Sequence, residues 1–467
     1  MTLKFHTNMR IKHSLLAVFM GVALAFTACK KKDNDDNSNN NNNNNNNSSK
    51  EIVEVTSNIT GNVTWKSDKI YVIKKYIYVD SLATLTIEPG TIIKGDKNEA
   101  ANTKGALIVK RGGRLIADGT VDKPIVFTSN KEKGMRNVGD WGGVWICGSA
   151  PTNAGTNVPA EADLGVFFGG NNPNDNSGIL RYVRIEFGGI ALQPNKEING
   201  LTLSGVGSGT VIENVQVSFA GDDAFEWFGG NVNAKRLISY KNIDDDLDMD
   251  NGFSGKIQYV LVVRDANLAD VSGSNGFEID NDASGSQATP STRAIVSNVT
   301  IVGPHMNDAS TYNADFKRAA HLRRSSKINI YNSVFAGFPI GILIDGDSTA
   351  MYYNTGEAHI RNCVVSSWKG SDSLKQTTTN YAFDVHTWFK NSAFNNSFVK
   401  NFNDLQLNAS QNYVPNAGSP LLNGGSTTVG YLNGDNFFTN ETFRGAFGST
   451  NWASGWANFD PQNTEYK

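Results

Sequence analysis

The stretch "GLTLSGVGSGTVIENVQVSFAG" (200 to 221) decides the fold. It holds short runs rich in Val, Ile and Leu, punctuated by Gly, Ser and Asn. Such runs bounded by turn formers read as strands, and the segment lacks the three-to-four-residue apolar spacing of an amphipathic helix. The same style recurs in "YIYVDSLATLTIEPGTIIKG" (76 to 95), "GALIVKRGGRLIADGTVDKPIVFTS" (105 to 129) and "SKINIYNSVFAGFPIGILIDG" (326 to 346). A period of roughly twenty residues without helical connections is the signature of a solenoid. One coil is too small to bury its own apolar face, so coils must stack, like residue over like. The pattern predicts an all-β chain, a right-handed parallel β-helix over 52–425. The aromatic segment 426–467 that follows is expected to cap the open end of the stack.

Stacking assigns roles to particular residues. Phe225, Trp227, Leu247, Met249, Phe277 and Ile279 become core. Asn214, Asn242, Asn298, Asn332 and Asn362 recur near strand ends, where asparagine suits turns that need left-handed backbone angles. Cys147 and Cys363 are 363 − 147 = 216 residues apart. At roughly twenty-odd residues per coil and about 4.8 Å per stacked strand they lie about 40 Å apart, against the roughly 7 Å that a disulfide spans. They are expected to be free, buried thiols.

"DDDLDMDNG" (244 to 252) packs five aspartates into nine positions. A strand reading puts Asp246, Asp248 and Asp250 on one side and Leu247 and Met249 on the other. It is no EF-hand loop: counting from Asp246, the positions that need Gly and a bidentate Glu hold Asn251 and Ile257. An offset of 22 lays "DAFEWF" (223 to 228) over "DDLDMD" (245 to 250), and a further 30 brings "NGFEID" (275 to 280). One outward column then reads Glu226, Asp248, Glu278, and its neighbour Phe228, Asp250, Asp280. "AHLRRS" (320 to 325) adds His321 and Arg323, and "ILID" (342 to 345) adds Asp345. Stacked carboxylates repel unless protons, cations or basic side chains intervene. A hard cation such as Ca²⁺, held by Glu226, Asp248, Asp250, Glu278 and Asp280, answers that need, with His321, Arg323 and Phe228 as ligand-binding neighbours. The alternative is a solvated acidic face with His321 and Arg323 as counter-charges.

A formal net charge of −3 and the absence of a basic stripe argue against a nucleic-acid partner. Arg10, Lys12 and His13 precede the apolar run "SLLAVFMGVALAF" (14 to 26), too short for a permanent membrane span and placed as a secretory leader would be. "KKKDNDDNSNNNNNNNNNSSK" (30 to 50) has nothing apolar to bury and reads as a disordered tether.

Several stretches carry a family resemblance. "FTAC" (26 to 29) resembles a bacterial lipobox, which implies a leader over 1–28 and a lipidated Cys29 opening the tether 29–51. "KKKDNDD" after it looks like the export signal of surface lipoproteins of the Bacteroidota. "LTIEPGTIIKG" (85 to 95), "DWGGVWICGSAP" (140 to 151), "AFEWFGGNVNAKRL" (224 to 237) and "FRGAFGSTNWASGWANFDP" (443 to 461) together resemble Bacteroidota β-helix lipoproteins of the pectate-lyase-like superfamily. "AGSPLLNGG" (417 to 425) is similar to the closing coil of such folds. The resemblance implies an outer-membrane, lipid-anchored protein at the cell surface, partnered by the bilayer and by a polysaccharide or an outer-membrane receptor.

Two functions follow. As a binding module, the protein presents the β-helix face to a glycan, a cation or a partner protein without catalysis. Trp141, Trp145, Trp227, Trp368 and Trp388 then offer sugar-stacking rings, although "WGGVW" (141 to 145) reads equally as core. As a calcium-dependent polysaccharide lyase or a glycoside hydrolase, it would use the acidic ladder, with Arg323 as the lyase base. "GDD" (221 to 223) resembles one polygalacturonase motif, but the companion Asn-Thr-Asp, Gly-His-Gly and Arg-Ile-Lys are not found within 52–425, and Asp222 and Asp223 read as shaping a turn. The binding module is the favoured expectation.

Overall fold

Phe225 lies directly over Leu247, Leu247 over Phe277 and Phe277 over Ala320, all on parallel strands. This vertical register comes from a computed structural model, which describes residues 50–98, 103–161, 164–193, 196–305 and 311–467. The expected leader, Cys29 and the tether up to residue 49 lie outside the described residues.

The register belongs to a ten-stranded parallel sheet that begins at Tyr76–Val79 and ends at Leu374–Thr377. Within it, Leu201–Ser204, Phe225–Phe228, Leu247–Asp250, Ser274–Ile279, Phe316–Leu322 and Ile340–Asp345 stack in chain order. Inward positions alternate with outward ones, as the pleat requires. Phe225, Trp227, Leu247, Met249, Phe277 and Ile279 all face in and have no exposed surface. The expected core residues and both coil offsets are those observed, in a parallel β-helix.

The other walls of the tube come from one sheet bent down its length. Strands such as Gly178–Glu186, Val211–Ser218, Asn233–Tyr240, Lys256–Val263 and Ile295–Val302 pair on both sides of a single mid-strand residue that leaves the ladder. That residue has a positive φ in coil after coil: Tyr182, Asn214, Arg236, Tyr259, Asn298, Asn332, Asn362 and Asn395. Left-handed geometry costs a side-chain-bearing residue about 1–2 kcal/mol, and asparagine tolerates it best. In the last coils the amides also bond to one another, Asn362 Nδ2 to Asn332 Oδ1 and Asn395 Nδ2 to Asn362 Oδ1, each 3.1 Å. Asn214, Asn298, Asn332 and Asn362 thus turn the corner as expected. Asn242 does not: there Lys241 takes the left-handed angle, and the buried Asn242 amide accepts a bond from Ala220 N at 2.7 Å.

The chain beyond Gly425 was expected at the end of the stack, and instead runs back along its side. Ser426 N bonds Asn332, Thr439 N bonds Gln258, Asn458 N bonds Gln216, and Tyr466 Oη reaches Glu186. These partners lie on successively earlier coils. Its aromatics are spent on the flank, where Trp456 and Phe447 join Ile238, Leu261 and Val302 in a separate cluster. At the far end of the stack Val385, Trp388 and Phe389 of the helix Val385–Phe389 join the main core instead.

Cys147 and Cys363 are free and buried, and burial pushes both thiols up to about 12. Trp141, Trp145 and Trp227 have no exposed surface, so they serve as packing rather than as sugar-stacking rings. Their ring planes are used internally, Trp141 against Phe127 and Trp227 against Phe253.

Candidate metal centre

The outward face of the ten-stranded sheet changes character along its length. One column reads Tyr78, Ile108, Trp145, Thr202, then Glu226, Asp248, Glu278, His321, then Leu343 and Lys375. The early apolar part lies beneath packed side chains of Leu164, Val166 and Phe168. The acidic part begins where that cover stops. Phe228 stands at the boundary, 6.2 Å from Trp145 and 6.1 Å from Phe168 between ring centroids.

Three residues upstream of Glu226 and of Asp248 the chain turns into the strand, and those two corners, Asp223 and Asp245, are acidic too. Asp245 N bonds Asp223 Oδ1 at 2.8 Å, and Asn275 N bonds Asp245 Oδ1 one coil further on. Asp223 and Asp245 therefore do shape turns, and the same geometry aims their carboxylates beside Glu226 and Asp248. Two groups of three carboxylates result, each with ligand atoms within 4.8 Å of one another: Asp223, Glu226, Asp248, and Asp245, Asp248, Glu278. Asp248 belongs to both. A third group, Asp222, Asp223 and Asp244, adjoins them.

The cluster is electrostatically strained. Burial first, then the charges of Glu226, Glu278 and Asp245, push Asp248 well above the usual carboxylate range. Burial and then Glu161, Asp222 and Asp250 do the same to Glu226. Burial, followed by Asp222 and Asp245, raises Asp223. Among the described residues no donor hydrogen-bonds to the Asp248 carboxylate, whereas Glu226 Oε2 accepts from Asn199 Nδ2. Asp248 is only partly buried, so water is the donor left to it, and the like charges around it still disfavour its ionised form. Oxygen donors in an irregular set suit Ca²⁺, so the residues fit the group that the sequence implied.

The basic residues sit one coil further on. Arg323 contacts Glu278 Oε2 and binds Asp280 with Nε at 2.6 Å and Nη2 at 3.0 Å, while Arg324 Nη1 reaches Asp280 Oδ2 at 2.7 Å. Burial works against the Arg323 charge, but the Asp280 hydrogen bond and the charges of Glu278 and Asp280 outweigh it and hold the group above its ordinary range. His321 follows Glu278 in the ladder, with Nε2 2.9 Å from Asp345 Oδ2. Burial pushes Glu278 up, yet His321 and Arg323 outweigh it and keep the carboxyl below its usual range.

The structure thus brings Glu226, Asp248 and Glu278 together as the sequence predicts, with His321 next in line. Asp250 and Asp280 occupy the neighbouring column, and Asp280 is committed to the two arginines. Leu343 follows His321 in the first column, and Asp345, one position past the Leu322–Ile344 pair, falls in line with Arg323 in the second and reaches His321 from there. Asp246 is corrected: it precedes the strand at the corner, where alternation has not begun, and is buried inside with Arg264. Asp222, Asp223, Asp245, Glu161 and Asn199 were not read as site residues. The offset that lays Glu226 over Asp248 also lays Asp223 over Asp245, so the corner carboxylates carried the same signal.

Fold and site define a parallel β-helix protein with a cluster of carboxylates on the outward side of its ten-stranded sheet. Residues 56–413 match the family model of a pectate-lyase-like β-helix domain, and the chain belongs to that family. No curated protein and no solved structure matches it.

Proposed function

We propose that the protein is a non-catalytic binding module, lipid-anchored through Cys29 at the outer membrane and cell surface, whose carboxylate cluster holds Ca²⁺ and presents it to an oxygen-rich ligand such as a glycan. The observation that carries the reading is Asp248, shared by two carboxylate triads and given no hydrogen-bond donor among the described residues. A cation bridging Asp223, Glu226 and Asp248 replaces three repulsions by three attractions. Phe228 at the rim supplies an apolar edge for a sugar ring or a partner side chain.

A second reading, a calcium-dependent polysaccharide lyase or a hydrolase, draws on the family and on Arg323, which faces the ladder. Against it stands the clamp on that guanidinium: an arginine held by two carboxylates does not give up its proton.

The test is a melting curve with Ca²⁺ and with chelator, because a ligand that binds only the folded state raises the melting temperature. No shift in the wild type removes the cation reading. Polysaccharide binding measured with and without Ca²⁺, alongside absorbance of new unsaturated ends, separates binder from lyase. Retention of the wild type and release of Cys29→Ser from the membrane fraction tests the anchor.

A further inference from the structure

The ten-stranded sheet also carries a hollow of the opposite sign. It has a volume of about 490 Å³ and lies at the start of the strand Phe316–Leu322 and of its neighbour Ile340–Asp345. Small-molecule sites span roughly 300–1,000 Å³, so the size is that of a ligand site. Tyr312, Phe316, Pro339 and Ile340 supply apolar wall, and Lys317, Arg318 and Lys369 supply charge. Among the described residues no carboxylate lines it.

Arg318 is the side chain that lacks a counterpart. Its position in the ladder lies between Asn275 and Ile340. Among the described residues the guanidinium makes no hydrogen bond and no ion pair, and its Nε is buried without a partner. Burial holds its charge below the ordinary range. Glu278 and Asp345 act on it only through space, and each is already engaged, Glu278 by Arg323 and Asn275, Asp345 by His321 and Thr377. Lys369, exposed just past the strand Val364–Ser366, likewise has no partner for its ammonium among the described residues. Lys317 is half committed, with Nζ 2.9 Å from the Ala314 carbonyl and 3.5 Å from Asp315 Oδ1. Tyr312 packs against His305 and Trp368, with ring centroids 5.5 and 5.8 Å away, which stiffens the apolar wall.

We propose that this hollow binds a small organic anion, a carboxylate carried on an apolar body of one or two rings. The planar fork of Arg318 matches a carboxylate, Lys369 adds attraction from the exposed side, and Tyr312, Pro339 and Ile340 take the body. An anion there neutralises cations that otherwise repel one another and relieves a guanidinium that burial disfavours. The site is separate from the acidic cluster: Arg318 precedes His321 by three residues, about 10 Å along a strand. It stands whether or not that cluster holds a cation.

The experiment is calorimetry of the mature chain with naphthoate, alongside uncharged naphthalenemethanol, with chelator present throughout so that the outcome is independent of the cation reading. One naphthoate should bind per chain, and the alcohol at least tenfold more weakly. Arg318→Gln should lose at least tenfold in naphthoate affinity, because a hydrogen-bonded charge pair is removed. Lys369→Glu should lose at least threefold. Lys123→Glu makes the same change of net charge at an exposed position on an early coil and should bind within about twofold of the wild type. No saturable binding of naphthoate, equal affinity for acid and alcohol, or full affinity in Arg318→Gln overturns the proposal. So does a loss in Lys123→Glu as large as that in Lys369→Glu, since net charge alone would then explain both. Should Arg318→Gln fail to fold, the exposed Lys369→Glu decides, and its full affinity sinks the site.

Discussion

Arg264 and Asp246 form an ion pair with no exposed surface on either side chain, Nη1 to Oδ1 3.1 Å. The same guanidinium donates to the carbonyls of Ile243, at 2.7 Å, and Asp244, at 2.5 Å, and so holds the corner from which the acidic strand emerges. Arg264→Met leaves a buried carboxylate unpaired and is expected to cost about 3–5 kcal/mol in chemical denaturation. Because the corner positions Asp245, cation affinity should fall as well. A variant of unchanged stability would show that Asp246 takes up a proton and needs no partner.

Asp248→Asn separates repulsion from ligation. Removing one charge from the middle of the ladder should raise the melting temperature in chelator by a few degrees, since about 1 kcal/mol shifts a mid-sized domain by roughly 2–4 °C. The same change should abolish most of the stabilisation by added Ca²⁺. A lower melting temperature in chelator, with the calcium response intact, contradicts the reading of Asp248 as a strained ligand.

The pH dependence follows from carboxyls that hold protons too well. Burial leads in every case: Asp244, Asp250 and Glu161 are pushed up to about 7 and Asp246 up to about 6. Where the folded value exceeds the unfolded one, the folded state keeps protons that the unfolded chain releases. The contribution of these groups is therefore fully present below about pH 4 and falls as pH rises to about 7, beyond which it stays lost. Calcium competes with those protons, so the gap in melting temperature between calcium-loaded and chelated protein should widen from pH 4 to pH 7. A gap that narrows over this range would count against the site.

Tyr466 tests the flank. Its hydroxyl lies 2.6 Å from Oε1 of Glu186, a carboxyl with no exposed surface whose Oε2 accepts from Thr128 at 2.9 Å. Tyr466→Phe removes a donor from a buried acid and should cost about 1–3 kcal/mol. Hydrogen exchange is expected to rise first over residues 458–467, ahead of the coils beneath. Uniform loosening of the whole stack would argue that the segment and the tube unfold as one.

Much of this molecule was legible in its residues because a stacked tube repeats one decision many times. The alternation in "FEWF" and "LDMD" fixed which side chains turn inward, and a single offset then carried Glu226 onto Asp248. Corners resisted the same logic. Asp246 continues the run of aspartates, yet its side chain enters the core because the strand starts at Leu247 and the backbone is still turning. Asp223 reads as shaping a turn and does so, and although the 22-residue offset also lays it over Asp245, a turn role already accounts for an aspartate at a corner and hides its second one. The arginines differ likewise: Arg264 and Arg323 are alike in sequence, and only the path of the loops makes one a buried strut and the other a clamp at the carboxylate cluster. The tail misled because its aromatic content suits an end plug and a lateral seam equally well.

That tail changes how the chain can vary. Solenoids touched only by their immediate neighbours gain or lose a repeat at modest cost. Here Ser426, Thr439, Asn458 and Tyr466 are each matched to a different storey of the tower. Adding or deleting one storey would put every later match out of step, so the tail acts as a ruler that fixes the repeat number. Diversity in such a protein must then enter through side chains and loops that leave the number of coils unchanged.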